Sequence, residues 1–143
     1  MVNLHPDFLP AQYWLGSAYR EKKMYPQAIE TFQNAREQAR KLAGDNPALI
    51  MAYGHTQALA GNPAEARAAL QKLQQLAGIR FVPSLYPAAI HVGLGELDEA
   101  FHFLDLAYQE RVDRLVYLNA EPMADPLRSD PRFAQLMAKV GFH

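Results

Sequence analysis

An all-α fold, a stack of helical hairpins closed at its far end by a cap, is what this sequence predicts. Three observations predict it. Ala28-x3-Phe32-x2-Ala35 recurs as Ala66-x3-Leu70-x2-Leu73 and again as Ala100-x3-Leu104-x2-Ala107. The second and third copies lie 34 residues apart, the first and second 38. Ahead of each copy a small residue, Gly16, Gly54 or Ala88, holds one slot, with Leu15 and Tyr53 beside the first two. Finally, Leu15, Gly16 and Tyr19 share one helical face, and Ala28, Phe32 and Ala35 share another. Small Gly16 and Ala28 let two backbones approach, while Tyr19 and Phe32 fill the space beside them. A hairpin of this kind cannot bury its apolar stripe alone, so it stacks on copies of itself.

The elements follow in order. The first helix is expected from about Asp7 or Leu9 to Glu21. The second starts at Pro26, whose fixed φ suits a first helical position. It runs to about Ala43, where Gly44 can take a left-handed stop. The four extra residues of this unit fall within Gln38 to Leu42, about one turn. Asn46 caps the third helix and Pro47 opens it; it ends near Ala60, before Gly61. Asn62 and Pro63 open the fourth, with Glu65 placed to complete a capping box, and Gly78 closes it. Pro83 and Pro87 confine the start of the fifth helix to Val82–Tyr86, and Gly95 ends it. The sixth runs from about Asp98 to Glu110. Short links make neighbouring helices antiparallel. After Arg111 the period breaks. Asp113–Leu118 reads as a short helix or an extended piece, of which the short helix is expected, and Asp125-Pro126 and Asp130-Pro131 as two further helix starts. The second of these puts Phe133, Leu136, Met137 and Val140 on one face, closed by Gly141. The last hairpin needs such a cap, because nothing else covers its apolar side. The expected organisation is one domain over 1–143, with units at about 9–44, 46–78 and 82–111 and a cap at about 113–141.

Composition narrows the function. The chain has 143 residues, half of them hydrophobic, which gives a real core and excludes disorder. Its 14 basic residues nearly balance 15 acidic ones, so no net field draws it to nucleic acid or to an anionic membrane. Cysteine is absent, which removes disulfide and thiol chemistry and fits a reducing cytoplasm. No apolar run is long enough to span a bilayer, and the N-terminus has no signal pattern.

The period and its Gly/Ala-aromatic pattern resemble the tetratricopeptide repeat over roughly residues 6 to 110. Departures are Gln12 where a large aromatic is expected, with Trp14 displaced by two, and Pro87 where leucine is usual. The resemblance implies a right-handed solenoid. It also makes Pro6 the expected end of an earlier unit, so that Asn3–Pro6 reads as a repeat's tail and the chain as the C-terminal piece of a longer array. An ordinary N-terminal tail is the alternative. The stretch from Leu115 to Phe133 resembles the endings of many bacterial tetratricopeptide proteins, which often follow signalling or regulatory domains.

In that family the first helices of successive hairpins line a concave groove for a peptide or helix. The corresponding positions here are Tyr13, Ser17 and Arg20, then Met51 and His55, then Leu85 and Ala89. The alternative is that several of these are core, or are covered by the cap. One subfamily grips C-terminal carboxylates. Its positions fall on Tyr13, Ser17, Ala52, Val82 and Tyr86, none basic or an amide, so no such clamp is expected. The groove would suit an amphipathic helix, with Met51 adapting to the fit. The expected function is therefore non-catalytic protein binding, as the end of a larger regulatory protein. The first rival is self-association through an open N-terminal face carrying Phe8, Leu9 and Tyr13. The second is a small enzyme or ligand-binding helical domain, for which the sequence offers no cluster of buried titratable groups.

Other chemistry has little support. His5, His55, His91, His102 and His143 lack the spacing of helical metal ligands, although His55 and His91 could approach across adjacent helices. Hydrogen-bonded or surface imidazoles account for them. Gly93-Leu94-Gly95-Glu96-Leu97-Asp98 half-resembles a phosphate loop but follows no strand and lacks lysine; its glycines serve a turn. Ser17, Ser84 and Ser129 sit in no nucleophile elbow. Glu30, Glu37, Glu65 and Glu99 belong to solvated faces or first turns, not to a catalytic pair. No enzyme activity, metal or cofactor is expected.

Overall fold

Proline and asparagine set where the helices begin. The computed structural model describes residues 8–111 and 113–141. Six α-helices come first: α1 Phe8–Glu21, α2 Tyr25–Ala43, α3 Pro47–Leu59, α4 Pro63–Ala77, α5 Leu85–Leu94 and α6 Leu97–Gln109. Pro26, Pro47 and Pro63 all sit in first turns, where an amide hydrogen would have no partner. Asn46 caps α3 as expected, its Oδ1 accepting from the Leu49 N–H at 3.2 Å. Gly95 ends α5 in the left-handed conformation, φ +77°. Only Gly95 serves the turn: Gly93, expected there too, lies inside α5, where a Cβ would stand 3.0 Å from Ala58 and His55. Asn3–Pro6 and His143 lie outside the described residues.

Two local expectations are corrected. Asn62 and Glu65 form no capping box. Asn62 Nδ2 instead donates to Gln57 Oε1 at 2.8 Å, Gln57 Nε2 donates to the Tyr53 hydroxyl at 3.0 Å, and that hydroxyl donates to Glu65 at 3.2 Å. This relay across α3 and α4 outcompetes a local cap because it satisfies the buried Gln57 amide. Gly44 does leave α2 with φ +90°, but its ψ of −172° is extended, so the chain straightens instead of closing a left-handed stop.

The hairpins pack as their small residues require. Ala28, Phe32, Ala35, Ala66, Ala100, Leu104 and Ala107 are fully enclosed. A Cβ on Gly16 would stand 2.6 Å from the Phe32 ring, and one on Gly54 would stand 2.7 Å from the Ala69 Cβ. Both lie inside van der Waals contact, so glycine is what lets these helices touch. Ala88 takes the same slot in α5 and is fully buried. Side chains of α1–α3 form a first apolar cluster, those of α3–α5 a second, and those of α5, α6 and the C-terminal segment a third. Among the described residues there is no strand, and no helix is long and apolar enough to cross a membrane.

The face of α1 differs from expectation. Leu15 does not turn inward with Gly16: it is 42% exposed, and Trp14 is 75% exposed. The counterpart of Leu15 in α3, Tyr53, is only 9% exposed because α2 covers it. Among the described residues α1 has no such helix before it.

Beyond α6 the chain makes two 3-10 segments, Asp113–Ala120 and Pro122–Leu127, and then α7, Pro131–Val140. The short helix expected at Asp113–Leu118 is thus a 3-10 turn. The helix start expected at Asp125-Pro126 is corrected: the turn begins at Pro122, and Pro126 lies inside it. A 3-10 turn tolerates that proline because it is only a few residues long. Asp130 caps α7, accepting from the Arg132 N–H at 2.9 Å, and Gly141 closes it in the left-handed conformation. Leu115, Leu118, Leu127, Phe133, Leu136 and Met137 bury against α5 and α6. Full burial of each such side chain is worth about 1.5–3 kcal/mol. Arg132 clamps the cap, bonding Asp98 of α6 and Asp130 at 2.8 Å each with its guanidinium 4.5 Å above the Phe101 ring.

Candidate functional site: the inner face

The seven groove positions do not form one open surface. Tyr13 meets the Phe32 ring edge-on at 6.0 Å and is half-buried. Met51 and Ala89 are buried in the second apolar cluster, and Leu85 in the third, beneath the cap. Met123, from the second 3-10 segment, packs on both of those clusters at once. The chain's own C-terminal segment therefore lies along the inner side of α5.

What remains is a hollow of about 130 Å³ where α1, α3 and α5 meet that segment. Arg20, Glu21, His55, Leu59 and Val92 line it from the helical side, and Glu121, Pro122, Met123 and Pro126 from the other. The structure thus brings Arg20 and His55 together. His55 is buried, and burial, with the Arg20 charge adding to it, pushes its imidazole down to about 3. The ring is neutral at physiological pH. Burial likewise lowers the pKa of the Arg20 guanidinium, against a weaker opposing pull from Tyr13, Glu21 and Glu121. That guanidinium lies 5.8 Å from the Phe32 ring centre, and no carboxylate among the described residues bonds it. One helical turn back, the Ser17 hydroxyl oxygen is buried without a hydrogen-bond partner. A sunken cation, a neutral imidazole and a free hydroxyl are groups that can hold an acidic or polar atom from another chain.

The sequence singled out Arg20, His55 and Ser17, but not Glu121, Pro122 or Met123, which finish the hollow. A proline-flanked methionine beyond the repeats was the available signal. Phe8 and Leu9, read as an open face, are half-buried, and Leu9 packs into the first cluster.

A second concavity of about 510 Å³ lies between α4, α5 and α6. Leu70, Ala77, Val82, Pro87 and Phe103 make it apolar, with Arg67 and His91 among its polar lining. His91 Nδ1 and Arg67 both bond Glu96, at 2.9 and 2.6 Å, and the Arg67 bond, more than the His91 bond, lowers the Glu96 pKa. His91 also stacks on Phe103 at 5.5 Å. His55 and His91 thus open onto different cavities, and among the described residues no three metal-ligating side chains cluster.

A family model of the tetratricopeptide repeat matches residues 10–41, which is α1 and most of α2. No curated protein and no solved structure matches the chain. In the next hairpin Gly54, at the register of Gly16, meets Ala69 and Ile90 while Leu70, the counterpart of Phe32, is only partly buried, and in the third Ala88 and Ala100 are fully enclosed. The family match on the first hairpin, together with an all-helical fold of further hairpins among the described residues, supports a tetratricopeptide-type protein.

Proposed function

We propose that this chain is a non-catalytic protein-interaction module whose inner face takes an amphipathic helix or peptide of a protein partner. The observation that carries the reading is Arg20, sunk between helices with no bonded carboxylate among the described residues. A charge drawn partly out of water is costly unless it is paired. A partner segment with apolar residues and one acidic group would bring the missing partner to Arg20 and a hydrogen bond to His55. Pro122–Leu127 then acts as a placeholder, moved aside by a segment that fits better. The near-neutral charge of the chain suits a protein partner over nucleic acid or an anionic bilayer, and the absence of cysteine suits the cytoplasm.

Selection of peptides from a random library, followed by amide chemical-shift mapping, tests this. Selected peptides should carry an acidic residue beside apolar ones and perturb Arg20, His55 and Val92. Arg20→Gln should weaken them at least tenfold, and Met123→Ser should strengthen them by loosening the placeholder. Peptides that map to another face, or that bind Arg20→Gln equally well, would sink the reading.

A further inference from the structure

The outer face of α1 carries a second, independent message. Ala11, Trp14, Leu15 and Ala18 are all exposed and follow the spacing of one helical face. From Phe8 to Tyr19 the helix has no charged residue, in a chain that is 20% charged overall. Exposed helix faces that stay in water normally carry charge. At an offset of 38 residues, the register that maps Gly16 onto Gly54, these four positions correspond to Leu49, Ala52, Tyr53 and Thr56 of α3. All four of those are buried, and Leu49, Ala52 and Tyr53 share the first cluster with Ala28, Phe32, Ala35 and Ala39 of α2. The same face that α3 presents to a helix is presented by α1 to solvent.

The row also reads the same in both directions: small, large, large, small. Two α1 helices laid antiparallel about a two-fold axis would set Trp14 of one against Leu15 of the other, and Ala11 against Ala18. A two-fold contact demands that kind of self-complementary surface. At the other end of the molecule the exposed Tyr108, Val116 and Tyr117 are divided between α6 and a 3-10 segment, so they form no single helical row to match α1. The outward positions of α7 are Ala134, Gln135, Ala138 and Lys139, while Phe133, Leu136 and Met137 turn inward. We infer that the occupant of this face is a second copy of the chain, joined α1 to α1 as an antiparallel, two-fold pair centred between Trp14 and Leu15. A tryptophan buries about 150–250 Å², so one tryptophan, one leucine and two alanines fall short of the roughly 800 Å² per partner of a standard interface. The dimer is accordingly weak and concentration-dependent.

The test uses the whole chain in two arms. Trp14 is the sole tryptophan, so its emission reports the contact directly. In sedimentation and fluorescence dilution series, mass should move from dimer to monomer as the emission shifts to the red. Leu15→Lys, at an exposed site, should stay monomeric with unchanged circular dichroism. Because the chain has no cysteine, single replacements give clean cross-links. A mixture of Ala11→Cys and Ala18→Cys chains should form the mixed disulfide under mild oxidation, and neither variant alone should cross-link efficiently. A monomer at the highest attainable concentration, a dimer untouched by Leu15→Lys, or efficient Ala11→Cys self-cross-linking would each overturn the assignment. Peptide capture on the inner face does not involve Leu15, so the two readings fail separately.

Discussion

The Phe32 ring occupies the volume that a side chain on Gly16 would need: a Cβ there would stand 2.6 Å from the ring. Phe32 is fully buried, so the ring has no free space to retreat into. Gly16→Ala should therefore push α1 off α2 and cost about 1–3 kcal/mol, the usual penalty for overpacking a core. A urea titration at neutral pH would measure it. An unchanged midpoint would show that the contact yields at no cost.

Ala100 makes the corresponding demand in the third hairpin. It is fully buried in the cluster that joins α5, α6 and the cap. Ala100→Trp should not be tolerated, because α6 could no longer close on α5 while holding α7 beneath it. The expected result is a chain that fails to unfold cooperatively or loses more than about 3 kcal/mol, the upper end of the overpacking range. A soluble Ala100→Trp chain with a sharp, wild-type-like transition would refute this packing. Ala66→Trp should behave likewise in the second hairpin.

The hairpins were legible because their information is local. Ala28, Phe32 and Ala35 fall on one face by spacing alone, and proline and asparagine mark helix starts without reference to the rest of the fold. What misled was context. Leu15 has the spacing of an inward residue, but its burial depends on a preceding helix, which Tyr53 has and which Leu15 lacks among the described residues. Glu65 sits correctly for a cap, yet the Tyr53 hydroxyl of the neighbouring helix takes its carboxylate. The inner hollow was half legible. Arg20 and His55 follow from repeat register, whereas Met123 reaches them only through the path of a 3-10 segment, and no periodicity reports that path.

Asp130 does two jobs at the start of the cap. Its carboxylate accepts from the Arg132 backbone N–H at 2.9 Å and holds the Arg132 guanidinium, which in turn bonds Asp98. Those hydrogen bonds to Arg132 hold the Asp130 carboxyl below the usual carboxylate range. Asp130→Ala should cost about 1–2 kcal/mol, that of a lost helix cap. Asp130→Asn, which can still cap, should recover a good part of it. Thermal melts of the three proteins would rank them, and an Asp130→Asn chain no better than Asp130→Ala would assign the effect to the ion pair.

His55 gives the protein an acid sensitivity of definite sign. Its imidazole is held at about 3 in the folded chain, against 6.5 for a free side chain. Between those values the unfolded chain binds a proton that the folded chain refuses, so stability must fall as pH drops through this window. The slope is about 1.4 kcal/mol per pH unit, so roughly 2 kcal/mol is lost between pH 7 and pH 5. Few carboxylates titrate above pH 5, so the acids add little to the His55 contribution in this window. His55→Leu should therefore flatten the profile between pH 7 and pH 5 while leaving the steeper loss at lower pH. Urea denaturation at several pH values, alongside an NMR titration of the ring, decides it. A His55 ring that protonates near pH 6.5 in the folded protein would mean that the imidazole is not shielded beside Arg20, and the slope would vanish with it.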